Sequence, residues 1–133
     1  MKKWFIILLA VFIIIQFFRP ARNIAADATA YANDISTVYI IPDSTHQLLR
    51  SSCYDCHSNN TQYPWYNNIQ PVAWWLNSHV TKGKKALNFS EFATYPILRK
   101  YKKLDGMIKE IQSGDMPLSS YTLIHRYAIL NPY

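Results

Sequence analysis

Cys53, Cys56 and His57 are the residues of this chain best suited to chemistry, and they stand together as Cys53-Tyr54-Asp55-Cys56-His57. Two thiols three positions apart, followed at once by an imidazole, make the C-x-x-C-H pattern of covalent haem c attachment. The sulfurs can form thioether links to the two haem vinyl groups, and the adjacent imidazole falls under the iron as proximal ligand. The sequence has no other cysteine, so no structural disulfide competes for this pair. The expected cofactor is one covalent haem c.

Rival uses of the motif fit less well. A structural zinc site takes four ligands, commonly from two such pairs. Here the remainder would have to come from the scattered His46, His79 and His125. A redox-active dithiol opens a helix after a strand in a βαβ setting, and no such strand is visible ahead of Cys53. A plain disulfide needs neither the fixed spacing nor the histidine.

Iron held by His57 alone would be five-coordinate, and low-spin electron carriers add a second axial group, often Met. Met1 begins the chain, and Met107 lies beside the apolar stripe of a long helix. Met116 sits in Gly114-Asp115-Met116-Pro117. Proline fixes its own φ and restricts the residue before it, so a Met in that position is partly pre-set. Met116 is the preferred distal ligand and His79 the alternative. His79 projects from an apolar stripe, where a histidine is more often a hydrogen-bonded core residue than a ligand; His46 and His125 are weaker candidates. Tyr63, Trp65 and Tyr66, in a loop over 58–70, could wall the ring edge and donate to a propionate, or serve as ordinary core contacts.

The elements that must hold these residues read as helices joined by irregular loops. Pro42-Asp43-Ser44 supplies a stop and a cap before a short helix through Leu48 and Leu49 into Cys53. Pro71 opens a second helix, with Val72, Trp75, Leu76, His79 and Val80 on one stripe and Gly83 as its end. Asn88 and Glu91 resemble a capping box for a short turn. Pro96 opens the best helix of the chain, with Ile97, Tyr101, Leu104, Ile108 and Ile111 on its stripe, and Gly114 ends it.

Ahead of this domain, Lys2 and Lys3 precede an unbroken apolar run from Trp4 to Ile15, followed by Gln16, Phe17 and Phe18 and closed by Arg19-Pro20. As a helix, 15 such residues span about 22 Å, short of a ~30 Å hydrocarbon core. Snorkelling Lys3 and Arg19 and the rim residue Trp4 extend its reach. A cleaved signal peptide would need a small-residue site such as Ala26-Asp27-Ala28. Arg19 and Arg22 sit where a cleavage region is normally uncharged, which favours an uncleaved signal anchor. Either way the rest of the chain is expected to be exported, to the periplasmic side of a bacterial inner membrane that residues 4–18 enter. The expected organisation is a transmembrane anchor over 1–19, a tether over 20–41, in which Ser36–Ile41 could be extended chain laid on the domain, and a haem domain over 42–133.

The chain carries 14 basic and 8 acidic residues. Four basic residues belong to the anchor region. Residues 82–109 hold eight more (Lys82, Lys84, Lys85, Arg99, Lys100, Lys102, Lys103, Lys109), opposed there only by Glu91 and Asp105. Such a stretch is either a solvated helix face or a docking patch for an acidic redox partner or lipid phosphates. Nucleic acid is not an expected partner of an exported domain.

Beyond the motif itself, Cys-Tyr-Asp-Cys-His-Ser-Asn at 53–59, Tyr-Pro-Trp-Tyr at 63–66, Pro-Val-Ala-Trp-Trp-Leu at 71–76 and His79-Val80 form a recognisable series. Leu-Asn-Phe-Ser-Glu-Phe at 87–92 and Gly-Asp-Met-Pro-Leu-Ser-Ser-Tyr-Thr-Leu-Ile-His at 114–125 complete it. With these stretches the chain resembles the haem-binding domain proteins of Bacteroidetes-type bacteria, small membrane-anchored relatives of cytochrome c, over nearly its whole length. The resemblance implies an all-α, small cytochrome c-like domain with one covalent haem. It carries Cys53, Cys56 and His57 over as attachment and proximal groups, and matches both Met116 and His79 without deciding between them. Such proteins usually continue into a further C-terminal helix. Here the sequence stops at Asn131-Pro132-Tyr133, which is expected to leave part of the core uncovered.

The sequence shows no nucleophile–base pair and no paired carboxylates with an evident role, so no stand-alone enzyme is expected. The expectation is a membrane-anchored monohaem c-type cytochrome transferring single electrons, with a haem-based ligand sensor, its sixth iron site open, as the alternative.

Overall fold

The apolar N-terminal run has no glycine or proline to interrupt it and forms helix α1 (Lys2–Ile15). The structure, a computed structural model, describes residues 1–25 and 31–130. Residues 1–14 are exposed, and the turn continues briefly as Gln16, Phe17 and Phe18 donate their N–H groups to the carbonyls of Ile13, Ile14 and Ile15. Fourteen residues span about 21 Å, against ~30 Å of hydrocarbon. No helix among the described residues is long and apolar enough to cross a membrane. The transmembrane anchor expected over 1–19 is therefore not supported as a continuous spanning helix, because the α-helix ends at Ile15.

The chain after α1 is bound to the domain. Gln16 and Gln70 hydrogen-bond reciprocally, Gln16 Nε2 to the Gln70 carbonyl (3.3 Å) and Gln70 N to Gln16 Oε1 (2.9 Å). Gln70 Nε2 and Trp74 Nε1 both donate to the Phe18 carbonyl, at 3.1 and 2.7 Å. Asn23 binds the loop after the cysteines through Ser58 and Thr61, accepts from Lys84 Nζ and donates its N–H to Tyr63 Oη. The candidate cleavage site Ala26-Asp27-Ala28 and the C-terminal Asn131-Pro132-Tyr133 lie outside the described residues.

The second half of the expected tether is also built into the domain. Asp34 is buried, caps a 3-10 turn (Ile35–Thr37) through Ser36, and accepts from the Tyr54 hydroxyl at 2.9 Å. Ile35 joins Tyr54, Leu87, Phe89 and Phe92 in the core, with Tyr39 and Ile41 against it. The extended chain expected over 36–41 is thus partly a turn, because Asp34 offers the backbone a local cap.

The domain is helical, with no strand among the described residues, as its periodicity predicts. Helix α2 (Asp43–Ser52) runs through Cys53 into the short α3 (Tyr54–His57). A 3-10 turn (Trp65–Asn68) leads to α4 (Val72–Ala86), and a second (Phe89–Thr94), capped by Asn88, leads to α5 (Ile97–Gln112). Helix α6 (Ser119–Thr122) and a last 3-10 turn (Arg126–Ala128) finish the described chain.

Two expectations change. Gly83 does not end α4; it is buried inside the helix, where a Cβ would lie 2.5 Å from the Cys56 carbonyl oxygen. Helix α5 keeps its expected bounds, with Gly114 at φ 79° beyond it. Its stripe, however, does not enter the core: Ile97, Tyr101 and Ile108 are 64, 62 and 50 % exposed, and only Leu104 and Met107 pack toward the cluster.

Candidate functional site

Helix α2 delivers the cysteine motif as one tight turn. Cys53 N–H still bonds the Leu49 carbonyl, while the N–H groups of Cys56 and His57 both turn back to the Cys53 carbonyl, at 3.2 and 2.9 Å. Leu49 and Cys53 share a face against the core, as their spacing predicts. The close approach of Gly83 to the Cys56 backbone sets α4 directly against this turn. Neither cysteine is in a disulfide. Burial pushes both thiols up to about 11, with Cys56 adding to the effect on Cys53 and Asp55 to that on Cys56. Redox-active dithiols depend on the opposite shift. No group of three metal-ligating side chains is gathered among the described residues.

His57 is oriented by a backbone carbonyl 30 residues further along the chain. Its Nδ1 lies 3.0 Å from the Leu87 carbonyl. A carbonyl can only accept, so Nδ1 carries the proton and Nε2 keeps its lone pair. Burial holds the ring below the usual histidine range, against smaller opposing bonds to Leu87 and Gly83, which keeps it neutral. A neutral imidazole steered by an N–H···O=C bond is the state a metal ligand requires. Phe89 packs edge-on against this ring at 6.3 Å and stacks on Tyr54 at 5.2 Å, so the core fixes the histidine from behind.

Cys53 and His57 open onto two adjoining clefts. The first, of about 360 Å³, lies between the motif and α5, lined by Leu87, Phe89, Met107 and Ile111, with Lys102, Lys103 and Glu110 also contributing. The second, of about 340 Å³, continues past Cys56, Gly83 and His79 to Lys82, Leu118 and Tyr121. Ser52, Cys53, His57, Ala86, Met116 and Pro117 line both. Volumes of this size, mostly apolar with a few polar groups, are typical of cofactor sites.

Of the residues singled out in the sequence, the structure brings together Cys53, Cys56, His57, Met116 and His79. Met116 lines both clefts and His79 only the second. His79 is half-buried, not in the core; its Nδ1 donates to the Trp75 carbonyl at 2.8 Å and its ring lies 4.3 Å from that of Trp75. Tyr63, Trp65 and Tyr66, expected either to wall the ring edge or to make core contacts, line neither cleft. Trp65 is 75 % exposed, and Tyr63 and Tyr66 line a small cavity behind Cys56 with Leu76, Val80 and His125. Their hydroxyls are engaged there, Tyr63 with Asn23 and Tyr66 with His125. His46 and His125 line neither cleft.

Residues not expected at the site are Ala86, Leu87, Phe89, Met107 and Tyr121. Leu87 and Phe89 belong to a stretch read as a capping turn and as part of the resemblance, with no role at the site given to either, and Met107 was off the counted stripe. Tyr121 has the clearest role, donating to Asp55 Oδ2 at 2.7 Å, while Gln62 N–H donates to Asp55 Oδ1. Asp55 lies within the cysteine motif and Tyr121 five residues beyond Met116, so one hydrogen bond joins the two sides of the cleft.

The donor set suits haem: two unpaired thiols, a neutral imidazole with a free Nε2, a thioether lining the same space, and apolar walls around a slot that α5 does not fill. No curated protein and no solved structure matches the chain. The model of the haem-binding domain family matches residues 10–133, and the chain belongs to that family.

Proposed function

We propose that this chain is a monohaem c-type cytochrome that transfers single electrons at a membrane surface. The observation that carries the reading is the convergence of Cys53, Cys56 and His57 with Met116 on one pair of apolar clefts. Cys53 and Cys56 would hold one haem c through thioether links, His57 Nε2 would be the proximal ligand and Met116 the distal one. When bound, the haem supplies a one-electron couple whose potential a methionine ligand raises. The protein's own contribution is to fix the imidazole through Leu87, exclude water with Phe89, Leu87 and Ile111, and tie the Met116 loop to the motif through Tyr121 and Asp55. The reading gives the chain no catalytic reaction of its own.

Attachment to the inner membrane, with the haem domain on the periplasmic side, belongs to the same proposal. It rests on the apolar character of residues 4–18 and on the compartment in which haem c is attached. A redox partner would dock on the basic stretch 82–109.

The test is the intact mass and spectrum of the full chain made in a haem c-competent host. A mass raised by one haem that survives denaturation, with a low-spin ferrous spectrum indifferent to carbon monoxide, is expected. Rapid carbon monoxide binding would transfer the reading to a sensor with an open sixth site. A mass equal to the bare polypeptide would overturn it.

A further inference from the structure

The point where α1 leaves the domain carries an apolar shoulder that the cofactor reading does not use. Phe17, Phe18, Ile69 and Trp74 are 81, 64, 38 and 40 % exposed there. They are held next to one another by Gln16–Gln70 and by the bonds of Gln70 and Trp74 to the Phe18 carbonyl. Exposed apolar groups gathered at one place mark an interaction surface. The neighbouring element indicates its partner. From Trp4 onward helix α1 is apolar on all sides, and it presents no buried residue to the protein.

We propose that this shoulder sits in the headgroup zone of the lipid bilayer, so that the domain is clamped to the membrane at a fixed orientation and does not swing on a tether. The proposal rests on membrane attachment through α1. If α1 enters the bilayer, it is roughly 9 Å too short to span it. A short helix draws the groups at its end toward the interface. Those groups are not free, because Gln16 and Phe18 are hydrogen-bonded to Gln70 and Trp74. Trp74 has the form of an interfacial anchor, an apolar ring whose N–H is satisfied by the Phe18 carbonyl. Arg19 is exposed immediately beyond, placed to meet lipid phosphate.

The test is photocrosslinking of the full haem-loaded chain in lipid nanodiscs, with a benzophenone amino acid in place of Leu8 on α1, Ile69 on the shoulder, or Ile108 on α5. The haem spectrum of each variant reports that it is folded. Lipid adducts at positions 8 and 69 and their loss at 108 are expected. Lipid adducts at 8 with none at 69, with equal yield at 108, or with a protein–protein adduct at 69, would overturn the shoulder and leave the anchor standing. No adduct at 8 would remove the anchor reading and this proposal with it.

Discussion

At the scale of single residues, the distal side of the site turns on Met116 and His79. Met116 lines both clefts and His79 only the second; the Nδ1 bond of His79 to the Trp75 carbonyl leaves its Nε2 free, as the bond to Leu87 does for His57. Met116→Ala is expected to turn the iron high-spin and open it to carbon monoxide, while His79→Ala leaves the spectrum unchanged; the reverse pattern would make His79 the ligand. Gly83→Ala addresses the proximal side. Its Cβ would meet the Cys56 carbonyl, which is backbone and cannot swing away. Overpacking of this kind costs ~1–3 kcal/mol. A lower urea midpoint and a lower yield of haem-loaded protein are expected, and an unchanged midpoint would show that α3 and α4 part easily. The tyrosines give a pH dependence. Burial first, then Asp55, raises Tyr121 far above its ordinary range, and burial with Asp34 does the same for Tyr54. Above pH ~10 the unfolded chain releases these protons and the folded one keeps them, so stability falls as pH rises. The urea midpoint should drop between pH 9 and 11 (roughly one unit either side of the free value), and less steeply in Tyr121→Phe. A flat profile would contradict the assignment. The cysteine motif and Met116 were legible from type and spacing alone; Gly83 and Tyr121 were not, because a helix-to-backbone approach and a bond spanning 66 residues leave no local pattern.

Element by element, α5 is weakly secured. None of its residues is buried, and the first cleft separates its inner face from Cys53, His57, Leu87 and Phe89. Its links to the domain are few: Leu104 and Met107 toward the core, Lys103 Nζ on the Ala86 carbonyl, and the return of Asp115 and Met116 N–H to the Glu110 carbonyl. A helix so placed lacks the apolar burial that stabilises helices in proteins. Haem in the cleft would supply that surface. Amides of residues 97–112 are therefore expected to exchange fast with solvent in chain produced without haem, and to become protected in haem-loaded protein, by hydrogen-exchange mass spectrometry. Equal protection in both forms would mean that α5 is held by the polypeptide alone. The sequence located this helix well, since Pro96 and Gly114 bound it by backbone conformation. It misassigned the inner face, because a periodic stripe counts apolar side chains whether they meet core, cofactor or solvent. The tether was read with its second half free to lie on the domain, and Ile35, Tyr39 and Ile41 pack there. What the sequence did not show is the side-chain hydrogen bonding by Asn23 and Asp34 that adds to this packing, to which hydrophobic periodicity is blind.

For the molecule as a whole, the basic stretch 82–109 divides once its side chains are followed. Lys84 is spent on Asn23, Lys103 on Ala86, and Lys109 on Asp105, while Arg99 lies over the ring of Tyr95. Lys82 and Lys102 are exposed, make no ion pair among the described residues, and line the second and first cleft respectively. Lys82, Lys102 and Lys103 against Asp55 and Glu110 leave a small positive excess on the linings of the clefts, where electrons would enter or leave. A field of this sign raises the encounter rate of anions and lowers that of cations, and salt screens both effects within about 10 Å at 0.1 M. The whole molecule can be tested without knowing its partner. In stopped-flow oxidation of the reduced protein, ferricyanide should react more slowly with the Lys82→Glu, Lys102→Glu double variant than with the parent at low ionic strength. A cationic cobalt complex should react faster. The differences should converge at high salt, because screening removes the field and leaves the haem environment as it was. A slowing shared by both reagents, or one indifferent to salt, would place the effect of these lysines inside the site, and the basic stretch would then be an ordinary solvated helix face.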